Sequence, residues 1–396
     1  MGIERISENV YSIGVINPSL RVFDIVMQAK YGTSYNAYLI TGKSNILIET
    51  VHSDYFDEYL NNIRTLVDVE DIDYIVMNHT ELDHSGSLKK LLEINPKITV
   101  VCTTAASKYL KNILNSDFNC KIVKDNDVLS FGDKSVEFKV APLLHWPDSM
   151  MTWFEEDKVL FSCDFLGCHF CEPTMLYENI KYKKEYLGEF RYYYDGIFSP
   201  FKPYVLKGIE KIKDLDIEYV CPSHGPVLTK DIKDRINDYK VWSTPQDKSE
   251  KNIVIIYASA YKCTKFMAEA AAQEIRDKSS VNVKLYDMVV SPVDVIAKEI
   301  AECDAIMVGS CTINRDAPKV VWDVLSSIDA INTKMKPAGA FGSFGWSGEA
   351  VDMIKSRLTQ LKFNFIGEGV KANFMPNEND IEEIKKYSIE IINKIK

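Results

Sequence analysis

In the first part of the chain, apolar residues fall in short blocks separated by turn-forming polar residues. "NAYLITG" (36–42) and "NILIET" (45–50) flank "TGKSN", the spacing of a β-hairpin. "YIVMN" (74–78) and "KITVVCT" (97–103) alternate with helical stretches, and "SVEFKVAPL" (135–143), "MTWFEE" (151–156) and "KVLFSCD" (158–164) follow as strands. Strand clusters flanked by helices predict two sheets sandwiched between helices.

The pattern changes after "WSTPQDKSEKN" (242–252), a polar stretch that reads as a linker. Beyond it, strand and helix alternate regularly. "NIVIIYAS" (252–259) is a strand and "TKFMAEAAAQEI" (264–275) a helix. "VNVKLYDM" (281–288), "AIMVGS" (305–310), "PAGAFGSFG" (337–345) and "FNFIGEGV" (363–370) are strands, and "ENDIEEIKKYSIEIINKI" (378–395) closes as a helix. This spacing predicts a doubly wound parallel sheet. The expected domains are 1–248 and 249–396.

Composition narrows the class. The 396 residues exceed one typical core. A formal charge of −10 argues against nucleic acid as partner. No apolar run approaches the roughly 18 residues of a membrane span, and "MGIERISENV" lacks a signal-peptide layout, so a cytoplasmic protein off the membrane is expected. Nine scattered cysteines fit reduced thiols. Cys168 and Cys171 form a lone CxxC, where a knuckle of the zinc-ribbon type needs two such pairs. They read as two buried or neutral thiols.

Candidate chemistry concentrates in "NHTELDHSGSL" (78–88), which carries His79, Glu81, Asp83 and His84. Groups so crowded compete unless a cation sits among them. His145 ends "APLLH", Asp164 ends "VLFSCD" and His224 lies in "CPSHGP", each after an apolar run. Five of the six histidines, His169 included, lie in or beside these segments; only His52 is apart. His79, Glu81 and His145 make one ligand group, Asp83, His84 and His224 another, and Asp164 is available to bridge. Three carboxylates over-neutralise one divalent ion but leave room for a hydroxide on two. Imidazole with carboxylate suits non-haem iron, and also zinc or manganese.

The order His79-x-Glu81-x-Asp83-His84, His145, Asp164, His224 resembles the metallo-β-lactamase signature. Hydrolases of that superfamily carry HxHxDH; here the second position is Glu81, whose charge and hardness favour iron. HxExDH with these later partners resembles the flavodiiron proteins (A-type flavoproteins). "DFLGCH" resembles the family run after the bridging aspartate, with Leu166 at a Phe position, which implies that His169 lies close to the metals. "RYYYDGIF" (191–198) resembles a family run that implies Tyr194, or Tyr193, as a hydrogen-bond donor to bound O2 or NO. The resemblance implies an N-terminal αββα metallo-β-lactamase-like sandwich holding two non-haem irons and a C-terminal flavodoxin-like domain.

The second domain shows no GxGxxG. "SAYKCT", Ser259, Ala260, Tyr261, Lys262, Cys263 and Thr264, opens its first helix and offers a phosphate cradle. A monophosphate needs only such a cradle, which favours FMN over a dinucleotide. Ser310, Cys311, Thr312, Ile313 and Asn314 follow the third strand, and Ser343, Phe344, Gly345, Trp346, Ser347 and Gly348 the fourth, with Trp346 suited to stack on a flavin ring. The resemblance implies reduction of O2 to water, NO to N2O, or both, by a head-to-tail homodimer or dimer of dimers, in which the flavin of one subunit serves the irons of the other. It implies a separate electron donor: rubredoxin, its reductase, or reduced coenzyme F420. A zinc hydrolase fused to a flavodoxin and an electron-transfer flavoprotein with a vestigial metal site are the alternatives.

Overall fold

The computed structural model describes residues 3–245, 250–333 and 335–395. The chain divides into two compact units, Met1–Pro245 and Gln246–Lys396. The expected boundary at 248/249 lies outside the described residues. The expected linker begins too early: the helix Ile232–Ser243 runs through Trp242, whose ring packs on Tyr194, Phe190 and Tyr239. Its indole belongs to an aromatic cluster of the first unit, and local polarity did not reveal that.

The first unit holds a seven-stranded sheet. Its order is Glu4–Arg5, Val10–Ser12, Tyr38–Ile40, Asn45–Ile48, Ile72–Val76, Thr99–Cys102 and Cys120–Ile122. The hairpin pairs Ile40 with Ile46 as its spacing predicted. A five-stranded sheet follows: Val128–Phe131, Lys134–Val140, Met150–Phe154, Val159–Cys163 and Tyr219–Pro222. Successive side chains of a strand point to opposite faces. Thus Ile40, Ile46, Ile48 and Val76 meet Phe138, Phe154 and Phe161 between the sheets. Leu39, Leu47 and Ile75 on the other face bury against helices. The helix Phe56–Leu66 covers them with Phe56, Tyr59, Leu60 and Ile63, the i, i+3, i+4, i+7 stripe of an amphipathic helix. Two small antiparallel two-stranded sheets went unforeseen: Val15–Asn17 with Thr33–Tyr35, and the hairpin of Val22–Phe23 with Met27–Gln28.

The second unit is a parallel sheet in the order Asn282–Asp287, Asn252–Ala258, Ala305–Ser310, Pro337–Phe344, Asn364–Phe365, with Val370–Asn373 also on Pro337–Phe344. The expected strand 363–370 is therefore two short strands; Gly367 and Gly369, at φ 60° and 86°, turn the chain between them. Val254 and Ile256 bury against one helical layer, and Ile253 and Ile255 against the other. The strand order reverses at Asn252–Ala258, where ligands of such sheets bind. Among the described residues, no helix is long and apolar enough to cross a membrane.

Candidate diiron centre and flavin cradle

The metal-ligand candidates lie beyond the carboxyl ends of strands from both sheets of the first unit. His79 and Glu81 follow Ile72–Val76, and Asp83 and His84 sit on the one-turn helix Leu82–Ser85. His145, Asp164 and His224 follow Lys134–Val140, Val159–Cys163 and Tyr219–Pro222. The turn after His224 needs its glycine: Gly225 has φ 79°, and a Cβ there would stand 2.7 Å from the carbonyl oxygen of Cys168.

The structure brings all seven together. Three donor sets converge within 4.8 Å: His79–Glu81–His145, Asp83–His84–His224 and His79–His84–Asp164. Asp164 spans the two sides. Its Oδ2 lies 3.2 Å from His145 Nε2 and 3.9 Å from His79 Nε2. Its Oδ1 lies 3.3 Å from His84 Nε2 and 3.5 Å from His224 Nε2. Asp83 Oδ2 is 2.9 Å from His224 Nε2, yet both buried oxygens of Asp83 lack a well-aligned hydrogen-bond donor. Acceptors that converge in a buried space without donors fit metal ions. His84 joins the group through Nε2.

Surrounding groups fix the ring orientations. Both oxygens of buried Asp148 lie 3.3 Å from His79 Nδ1, and Asp148 also accepts from the backbone N–H and hydroxyl of Thr80 at 2.9 and 2.7 Å. His224 Nδ1 lies 2.6 Å from the Ser34 carbonyl oxygen. Buried Glu49 accepts the Asn78 N–H at 2.7 Å and so anchors the start of the ligand loop. Sequence reasoning missed Asp148 and Glu49; the run "HWPDS" after His145 was the available signal for the first.

The metal-free charge pattern follows. Burial opposes the ionised form of Asp164, but His84 and His145 outweigh it and hold the carboxyl well below its usual range. Burial works to lower His84, but Asp83 and Asp164 push it up to about 10. Buried His169 is held well below the usual imidazole range by desolvation and by His224; its ring centroid lies 4.9 Å from that of His224 and its Nδ1 2.9 Å from the Thr33 hydroxyl. Asp24, on the hairpin 22–28, was not foreseen. The residue is exposed, yet partial desolvation of its carboxyl and the nearby Glu81 carboxylate push it up to about 7.

The structure separates the two candidate tyrosines, Tyr194 and Tyr193. The Tyr194 hydroxyl pairs with Ser243 Oγ at 2.7 Å, and its ring packs on Tyr239 and Trp242. Tyr193 instead donates to Asp164 Oδ1 at 3.2 Å. Helical neighbours point about 100° apart, so only one of the pair faces the carboxylate. The sulfurs of Cys168 and Cys171 face different neighbours, Gly225 and the Tyr31 carbonyl, and no donor set among the described residues includes a cysteine.

In the second unit, the three predicted loops lie at the carboxyl ends of the adjacent strands Asn252–Ala258, Ala305–Ser310 and Pro337–Phe344. Lys262, at φ 68°, caps the helix Cys263–Lys278, whose first turn carries N–H groups that the helix leaves unpaired. Ser259 Oγ accepts the Lys265 N–H at 3.3 Å. Ile313 and Asp316 exchange backbone hydrogen bonds across Asn314 and Arg315, a tight two-residue turn. Tyr261 and Trp346 are 86% and 77% exposed, free to meet a planar ring. Thr264 and Ser343 are buried and bond each other at 2.8 Å, and Ser310 Oγ donates to the Cys311 carbonyl. The Thr264–Ser343 bond joins the first loop to the third, while Ser310 bonds within its own loop.

The fold and these sites define a class: a β-lactamase-fold unit with a carboxylate-rich dinuclear centre, joined to a flavodoxin. Residues 33–225 match the ODP family beta lactamase and residues 255–387 match flavodoxin. The chain is 48% identical to flavo-diiron protein FprA2 of Clostridium acetobutylicum, across 97% of each chain. It is 34% identical to the anaerobic nitric oxide reductase flavorubredoxin of Vibrio vulnificus, across 91% of this chain and 73% of that one. Its structure resembles rubredoxin oxygen:oxidoreductase of Desulfovibrio gigas, with TM-score 0.73, 31% identity and coverage of 99% and 98%. The chain belongs to the flavodiiron proteins.

Proposed function

We propose that this chain is a flavodiiron oxidoreductase that reduces O2 to water, NO to N2O, or both. The observation that carries the reading is Asp164, whose two oxygens face two separate histidine–carboxylate sets. His79, Glu81 and His145 would hold one iron, Asp83, His84 and His224 the other, and the loops 259–264, 310–314 and 343–348 would hold FMN. When bound, the irons supply redox-active Lewis acids and FMN a two-electron store that releases electrons singly.

The chain's own residues do the rest. Asp148 accepts from Nδ1 of His79 and leaves its Nε2 lone pair toward the site, and the Ser34 carbonyl does the same for His224. Glu81, in place of the hydrolase histidine, adds a hard anionic donor that favours iron over zinc. The Tyr193 hydroxyl, at Asp164 Oδ1, is positioned to hold a proton beside the site. Phe23 and Phe198, whose rings lie 5.5 Å from His224 and 6.0 Å from His145, exclude water.

The same reading assigns a cytoplasmic enzyme, a head-to-tail homodimer or dimer of dimers, and a separate donor of the rubredoxin type, its reductase, or reduced coenzyme F420. Metal and flavin analysis with O2 and NO consumption tests it. The expected result is about two irons and one FMN per chain with turnover of at least one gas. Zinc in the site with hydrolytic activity, or flavin without metal, overturns it.

A further inference from the structure

Two cysteines lie outside both sites. Cys102 ends the strand Thr99–Cys102, and Cys120 begins the edge strand Cys120–Ile122. The strands run parallel with Val100 opposite Cys120. Cys102 is therefore two residues further along, on the same face as Cys120. Their sulfurs are 3.7 Å apart and both thiols are free. Cys102 is fully buried, whereas all three residues of the edge strand are exposed. One partner can be reached from water and the other waits behind it.

We propose that Cys102 and Cys120 are an oxidative modification site, in which a hydroperoxide converts the two thiols into an intramolecular disulfide. The Cys120 thiolate attacks a peroxide oxygen; the O–O bond breaks, Cys120 becomes a sulfenic acid and hydroxide leaves. The Cys102 thiolate then attacks the Cys120 sulfur, the S–O bond breaks and a second hydroxide leaves. With the two thiol protons, one hydrogen peroxide becomes two waters, and the two electrons come from the sulfurs. The sulfurs must close from 3.7 Å to a bond of ~2.05 Å. With strands about 4.8 Å apart and an offset of two residues, the Cα atoms start about 8 Å apart, beyond disulfide reach, so the edge strand has to slide along its neighbour. It is suited to do so, being three residues long and paired on one side only.

The cross-link would staple the helix Thr104–Leu114, which connects the two strands. It also adjoins the metal support, because Thr103 donates through Oγ1 to the Asp148 carbonyl at 3.2 Å. Burial pushes both thiols up, so the reaction is slow at neutral pH and quickens as pH rises.

The test treats the purified full chain, with its cofactors, with hydrogen peroxide, then alkylates free thiols and maps tryptic peptides by mass. Lys108 and Lys111 separate the two cysteines. The expected product joins the Cys102 and Cys120 peptides with loss of two hydrogens, reverts with dithiothreitol, and forms faster at higher pH. Cys120→Ser abolishes it, and in Cys102→Ser the Cys120 sulfenic acid persists long enough for dimedone to trap it. Cys120 found only as sulfinic or sulfonic acid, joined to any other cysteine, or still alkylated as a free thiol overturns the proposal.

Discussion

Oδ2 of Asp164 lies 3.2 Å from Nε2 of His145, while the other oxygen of the same carboxylate faces His84 and His224. One side chain thus faces both of the other donor sets, whereas His145 belongs to a single set. Asp164→Ala is expected to strip iron from both positions, while His145→Ala retains about one iron per chain. Iron content against protein concentration, with circular dichroism as a folding control, checks this. Equal losses in the two variants would count against the bridging assignment.

The orientation of His79 rests on Asp148. Asp148→Ala is expected to weaken iron binding about 10- to 100-fold while the sandwich stays folded. The unpaired Nδ1 and the freed Thr80 N–H also cost about 1–3 kcal/mol of stability each if they stay dry. Competition with a chelator of known affinity measures the first effect and thermal melts the second. Unchanged affinity would remove Asp148 from the support of the centre.

Tyr193 and Tyr194 give opposite expectations. Tyr193→Phe removes the donor at Asp164 Oδ1 and is expected to lower turnover with O2 or NO at least several-fold, with little change in melting temperature. Tyr194→Phe removes the bond to Ser243 and is expected to cost about 1 kcal/mol of stability with turnover intact. Steady-state rates beside thermal melts separate the two, and a reversed pattern refutes the assignment.

Thr264 is too buried for a clean charge test of the flavin cradle. Cys263, the half-buried first residue of its helix, is better placed. Cys263→Asp puts a carboxylate where the helix dipole tolerates it but a phosphate is repelled. FMN affinity is expected to fall at least tenfold with the fold intact, measured by flavin fluorescence titration of the stripped protein.

The metal-free protein is expected to lose stability as pH rises. The folded state raises His84 from 6.5 to about 10. A raised group contributes stability that is fully present below its unfolded pKa and lost as pH climbs through the folded one. The window is therefore about 6.5 to 10. Asp83 and Asp164 are lowered, so their contribution is lost at the acid end instead. Iron needs neutral imidazole, so loading is expected to release protons and flatten the alkaline slope. Melting temperatures of stripped and loaded protein from pH 6 to 10, with His84→Gln as reference, check the sign.

What the sequence determined was local in origin. Short apolar blocks punctuated by turn residues, and their regular alternation with helical stretches, pointed to both layered architectures, because burying each apolar face leaves few ways to stack strands and helices. Glu81 within HxExDH, followed by His145, Asp164 and His224 after apolar runs, pointed to donors that the structure brings together, because strand ends are where such loops converge. The tertiary structure decided what depends on direction and distance. It turned Tyr193 rather than Tyr194 toward Asp164, since one residue of helix rotates a side chain by about 100°. It brought Asp148 under His79 and Asp24 beside Glu81 from far along the chain. It also set Cys102 against Cys120, a contact that follows from the parallel register of two strands and that neither cysteine's neighbours in sequence encode.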